Sequence, residues 1–332
     1  MKKMALIVLA AFCFAGIFAA AALAADPKHT FAVTNDSAED TVTHLMTVKL
    51  AELLAAKSDG AFKTEVYPSA QLGGDRELTQ SCQAGEIAFV LQTTAPQVNF
   101  VPKLSVLDLP MLFANVEQAR VVLDKFQGII APEYEKAGFK ILGFGDQGFR
   151  VMSSNKKIEK LDDFKGIKIR TMENKYHMAF WKAIGANPTP LPWGEVYLSL
   201  QQGTIDAQEN PLEVIVAAKL YEQQKYIVET NHIMHNITII MSKQIYDGLT
   251  PEEQKIVDEC ARETVLYARE QANSRVQNRL DILKQNNTEI VPVSPALRQE
   301  MIDRSKNVYD DIRKAVGADI TDALLKEVEA AK

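Results

Sequence analysis

The chain has 332 residues, with 37 Lys and Arg against 43 Asp and Glu and a formal charge of −6. That length suits one large or two medium folded domains, and an acidic chain without basic blocks excludes nucleic acid as an expected partner. Three cysteines without framework spacing exclude a disulfide scaffold.

Lys2 and Lys3 precede an apolar run from Ala5 to Leu23, and Ala22-Leu23-Ala24 is a small-x-small cleavage site. Together they predict a secretory signal peptide over 1–24 and a periplasmic location. The run approaches a spanning length, so a retained anchor is the alternative; the Ala-x-Ala site and the polar chain after it favour cleavage. Phe12 stands before Cys13, where a lipoprotein would need a small residue. Cleavage would take the formal charge to −8 and leave Cys82 and Cys260 in helix-like stretches, where a disulfide between them is not expected.

Strand and helix patterns then alternate. HTFAVT (29–34) reads as a strand, followed by apolar residues from Val42 to Leu54 at helical spacing and by Gly60 as a stop. FKTEVY (62–67), EIAFVL (86–91) and FKILGF (139–144) read as further strands, with helices around Glu77–Ala84 and from Asn115. The alternation predicts an α/β protein with a mostly parallel sheet covered on both faces. Thr250-Pro251-Glu252-Glu253 has capping-box spacing with proline at the first helical position. Apolar spacing then persists to about Gln285, so an unbroken helix would be roughly 50 Å long and would brace two lobes; a kink near Asn273-Ser274 is the alternative. The stretch from Ala296 to Ala331 reads as further helices.

Gly143-x-Gly145-x-x-Gly148 matches a dinucleotide fingerprint, but a strand-like FRVMSS follows where that motif needs a helix. The glycines are read as a flexible crossing between lobes, with no cofactor. His232 and His235 are three apart, yet no third ligand cluster accompanies them, so no metal is expected. Asn210-Pro211-Leu212-Glu213 carries three agreeing helix-start signals and places Asn210 at a cap. Trp193, between Pro192 and Gly194, is either a core plug or a flat ligand wall, and spacing alone favours the plug. Arg150 and Arg170 lie in strand-like FRVM and IKIR; pairing with Glu159, Asp162 or Asp163 and waiting for an anion are both open on composition.

Several stretches together resemble the substrate-binding proteins of TRAP transporters, the DctP type. They are YPSAQLGGDRE (67–77), LDLPMLF (107–113), KGIKIR (165–170), PLPWGEVYLSLQQGTIDAQENP (190–211) and TNH (230–232), in the family's order over about residues 30 to 285. The resemblance implies a two-lobed periplasmic binding protein, a Venus-flytrap with a hinge and a long bracing helix. It would be a receptor, not an enzyme, that captures an organic anion and delivers it to the large and small membrane subunits of a TRAP permease. A secreted enzyme acting on a carboxylated substrate, or a ligand-presenting sensory partner, is the alternative. Lobe one is expected at 26–147 with 236–275, lobe two at 148–235 with 276–332, and the chain is expected to be a monomer. The family's carboxylate-binding arginine falls on Arg170, its second arginine on Arg150, its aromatic wall on Trp193 and its ligand-facing asparagine on Asn210. Asn35 and Thr93 would face the ligand from the first lobe. Relatives that take sialic acid carry charged groups where this chain has Thr93 and Pro96, so an acid of that size is not expected.

Overall fold

The structure, a computed structural model, describes residues 26–332, and the predicted signal peptide lies outside the described residues. In chain order the strands are β1 His29–Thr34, β2 Phe62–Tyr67, β3 Phe89–Thr93, β4 Phe139–Phe149, β5 Val151–Ser154 and β6 Lys168–Thr171. They continue with β7 Asn187–Pro190, β8 Ala207–Asn210, β9 Tyr226–Glu229, β10 Met234–Ser242 and β11 Glu289–Pro292. The helices are α1 Val42–Lys57, α2 Asp75–Gln83, α3 Thr94–Gln97, α4 Val116–Lys136, α5 Lys175–Ala183 and α6 Val196–Gln201. After them come α7 Leu212–Ala217, α8 Lys243–Asp247, α9 Pro251–Gln285, α10 Pro295–Arg304, α11 Lys306–Val316 and α12 Ala318–Ala330.

The strands form two sheets, ordered β2-β1-β3-β10-β4 and β11-β9-β5-β8-β6-β7. Each is parallel where helices connect its strands and antiparallel where the chain crosses between them: β10 against β3 and β4, β5 against β8 and β9. The two strand crossings run side by side: Met234 pairs with Phe149, and Arg150 N donates to Ile233 O at 2.9 Å. β3 begins three residues later than the apolar pattern suggests, because Gly85, at φ +80°, turns the chain after α2.

Alternating residues of the first sheet feed two cores. Phe89, Leu91, Ile237 and Ile239 pack under α1 and α9, while Val90, Ile141 and Ile240 face α4. Cys82 and Cys260 are buried in these separate cores, and burial raises both thiols, Cys260 to about 11. The glycine motif is not a loop. Gly143 and Gly145 lie inside β4, and a Cβ on them would sit 2.6 Å from Val265 Cγ2 and 2.9 Å from Met46. They are glycines because α9 and α1 pack directly on that strand.

Helix α9 is continuous over 35 residues. Thr250 Oγ1 accepts from Glu253 N, and Glu253 Oε2 accepts from Thr250 N, so the capping box starts it as the sequence predicts. Val257, Ala261, Val265 and Ala268 pack on the first sheet, whereas Leu283 enters a core of the second.

The C-terminal residues divide differently from the expectation that 276–332 belongs with lobe two. Leu297 and Met301 of α10 join the second sheet's core with Phe164 and Trp181. Val308, Ile312 and Leu324 of α11 and α12 instead bury against Phe126 of α4 and Leu107, in a first-lobe core. Amphipathic helices show which face must be buried, and nothing in their spacing says which lobe will cover it.

Candidate ligand-binding site

The cleft between the sheets holds an inner cavity of about 510 Å³ of empty space, open mouth included, which shares Asp36, Asp75, Arg170 and Trp193 with an outer one of about 1280 Å³. The first lobe supplies the residues after β1, the start of α2 and the end of β3. The second supplies β6, the Trp193 turn and the end of β8.

Arg170 projects from β6 and lines both cavities while only 3% exposed. Its Nε and Nη2 donate to Leu191 O at 2.9 and 2.6 Å, which pins the guanidinium plane. Nη1 has no protein acceptor, and no carboxylate lies within ion-pair distance of Arg170 among the described residues. Burial lowers its pKa to about 10, with the Arg150 guanidinium adding to the effect and the carboxylates of Glu209, Asp75 and Asp36 opposing it. It is therefore a charged, buried cation short of a counter-ion.

Trp193 opens a 3-10 turn, half-buried, with Arg170 Cζ 5.7 Å from its ring centroid. It is a cavity wall; the indole that plugs a core is Trp181 of α5. We therefore expect Trp193→Ala to leave the apo protein within about 1 kcal/mol of its stability, since the ring is only partly buried, and to weaken ligand binding instead. Loss of the ~3–5 kcal/mol typical of a core aromatic, in denaturant melts of the apo variant, would show it to be a plug.

Thr93 and Asn210 also line the inner cavity. Asn210 is not a helix cap: it ends β8, Pro211 takes the cap position of α7, and Asn210 Nδ2 donates to Gln208 Oε1 at 2.7 Å. Glu213 faces the other way, pairing with Arg275 and Arg279 of α9. The same two arginines bind Asp40, beside α1, so one ion cluster ties the first lobe to the second at the cavity's edge.

Two expected site residues do not reach the cavity. Asn35 is fully buried, its Nδ2 donating to Thr47 Oγ1 at 2.8 Å and its Oδ1 accepting from Ser37 N at 2.9 Å; it shapes the turn after β1. Arg150 is 1% exposed and already neutralised by none of the acids the sequence offered nearby. Its Nε reaches Glu209 Oε2 at 2.5 Å, Nη2 reaches Glu209 Oε1 at 2.9 Å, and Nη1 contacts His235 Nδ1 at 2.5 Å. Burial pushes the Glu209 carboxyl up, but Arg150 and the His232 hydrogen bond outweigh it and hold Glu209 well below the usual range. His232 donates from Nε2 to Glu209 at 3.0 Å and stacks on Phe180, with burial keeping both His232 and His235 neutral-leaning. These histidines serve that network, and no group of three or more metal-ligating side chains converges among the described residues.

The sequence reading missed Asp36 and Asp75, which line both cavities. Asp75 lies in the GGDRE stretch, and Asp36 is the neighbour of the asparagine that was expected to face the ligand.

Two lobes on crossing strands, a bracing helix and a cleft with an unpaired arginine define a solute receptor of the Venus-flytrap type. The chain belongs to a particular family of these: residues 33–315 match bacterial extracellular solute-binding protein, family 7. A solute-binding protein of Verminephrobacter eiseniae is 37% identical over 218 residues, 64% of each chain. The 2,3-diketo-L-gulonate-binding periplasmic protein of Escherichia coli is 30% identical over 287 residues, covering 86% of this chain and 84% of its own. Among solved structures, the sugar acid binding protein of Advenella mimigardefordensis, in complex with galactonate, superposes with a TM-score of 0.88 at 28% identity. The match covers 92% of this chain and 99% of that one.

Proposed function

We propose that this chain captures a small organic acid in the cleft, with Arg170 holding the carboxylate, Trp193 as a flat wall, and Asn210 and Thr93 completing the pocket. The observation that carries this reading is Arg170, a buried guanidinium facing a cavity without a protein carboxylate. A buried charge left alone is costly, and a carboxylate ligand would supply the missing partner through the planar fork that arginine offers. The family to which the chain belongs serves TRAP membrane subunits, and delivery of the bound acid to them is the role we assign. The relatives named above bind 2,3-diketo-L-gulonate and galactonate, which supports a sugar acid within the class. Both lobes supply cavity walls, so closure of one on the other would bury the ligand, and binding would favour the closed form. We read the chain as a monomeric receptor exported by residues 1–24, not as an enzyme.

The test is to identify, by mass spectrometry, acid released from denatured protein, then titrate it by calorimetry and follow melting. A true ligand at a hundredfold excess over its Kd stabilises by ~2.7 kcal/mol, and the acid should be recovered unchanged. Chemical turnover of the acid, or no melting shift with any acid of a broad library, would overturn the reading.

A further inference from the structure

Arg170 accounts for one end of the ligand; the far wall has its own chemistry. Asp36 follows β1 and Asp75 is the first residue of α2, so two segments distant in sequence bring two carboxyl groups to one stretch of cavity wall. The Asp36 charge acts on Asp75, so the two carboxyl groups are neighbours on that wall. Ser37 Oγ donates to Asp36 Oδ1 at 3.2 Å, whereas Asp75 Oδ1 is buried without any partner. Both residues share the inner and the outer cavity with Arg170, yet neither forms an ion pair with it. A ligand that reaches from Arg170 across the cavity therefore meets acid oxygens.

We propose that Asp36 and Asp75 act as an acceptor pair that reads the hydroxyl groups of a polyhydroxy monocarboxylate and excludes a ligand bearing a second carboxylate at that end. This rests on the reading that Arg170 holds the ligand's carboxylate. Two neighbouring carboxyl groups repel each other when both ionise. Burial raises both groups, Asp75 well above the ordinary range with the Asp36 charge adding to it, and Arg170 offsets part of the effect. Whether ionised or neutral, carboxyl oxygens on that wall accept O–H donors. A ligand carboxylate there would place a third acid against two, with Arg170 already engaged. A plain aliphatic chain would leave Asp75 Oδ1 buried and unpaired, which also costs affinity.

Matched acids separate these cases. Galactonate and galactarate, or gluconate and glucarate, differ only in whether the far carbon is an alcohol or a carboxylate; hexanoate lacks the hydroxyls, and 6-aminohexanoate ends in an ammonium. Calorimetry on the full mature chain should show the preferred aldonate binding at least tenfold tighter than its aldarate and than hexanoate. Asp36→Asn and Asp75→Asn, which keep side-chain shape, should narrow the aldonate-to-aldarate ratio toward unity while melting temperature confirms folding. An aldarate equal to or tighter than its aldonate, or a ratio unmoved in both variants, overturns the proposal. So does tighter binding of 6-aminohexanoate than of any aldonate, since the pair would then read a cation. Failure of the underlying reading looks different: Arg170→Lys would then leave the affinity for every acid unchanged, whatever the ratio.

Discussion

Glu209→Ala is expected to destabilise the protein by ~3–5 kcal/mol, the usual cost of removing one partner from a buried ion pair. Glu209 is fully buried, bonds Arg150 through both carboxylate oxygens and receives His232 as well. Its loss strands the Arg150 guanidinium beside His235, which burial and Arg150 itself keep uncharged. Net stabilities of folded domains are ~5–15 kcal/mol, so the shift in the denaturant midpoint should be large. Replacing both partners, with Arg150→Met and Glu209→Leu, should recover most of the loss, because neither charge then remains buried alone. A single-variant cost below about 1 kcal/mol would show that the pair is not the stabilising contact its geometry implies. The pH dependence has a definite sign. Glu209 is depressed in the folded state, so its contribution is fully present above the unfolded value of ~4.3 and is lost as pH falls from there toward the folded pKa. Wild type should lose stability in that acid window, and the double variant should lose less of it.

The two strand arginines separate what sequence can show from what it cannot. Both are read as strand residues; Arg170 lies in β6, whereas Arg150 stands in the one-residue break between β4 and β5. The strands β1 and β2 and the helix α9, with its cap, are legible because period-2 and period-3.6 patterns and capping chemistry are local. What each arginine faces is decided by residues far along the chain. Arg150 is met by Glu209, 59 residues away, and by His235, 85 residues away, so no local signal distinguishes it from Arg170. The same holds at Asn35 and Asp36. Adjacent residues after a strand point to opposite sides, and a shift of one position moves the ligand-facing role from an amide to an acid. The glycine motif failed in the other direction. Gly143 and Gly145 signal close approach, and a strand pressed against two helices satisfies that as well as a mobile crossing would.

The largest expected effect on binding is at Arg170. Arg170→Lys keeps the charge but should weaken binding of the cognate acid by about 10- to 100-fold, in line with charge-assisted hydrogen bonds worth ~1.5–3 kcal/mol each. The reason lies in how the guanidinium is held. Nε and Nη2 both anchor on Leu191 O, which fixes the plane and leaves Nη1 and the remaining Nη2 hydrogen toward the cavity. A planar fork so fixed can take both oxygens of a carboxylate at once. An ammonium cannot bond Leu191 O and present that fork together, and it loses the planar face that lies over Trp193. Burial lowers Arg170 only to about 10, so wild type stays charged at neutral pH. A lysine in the same place, desolvated and beside Arg150, would be driven further toward its neutral form, which should make the variant's residual affinity fall as pH rises. Calorimetric titration of the acid identified by mass spectrometry, at two pH values and beside an apo melt, measures each part. An affinity within threefold of wild type, with the fold intact, would remove Arg170 from the centre of the site.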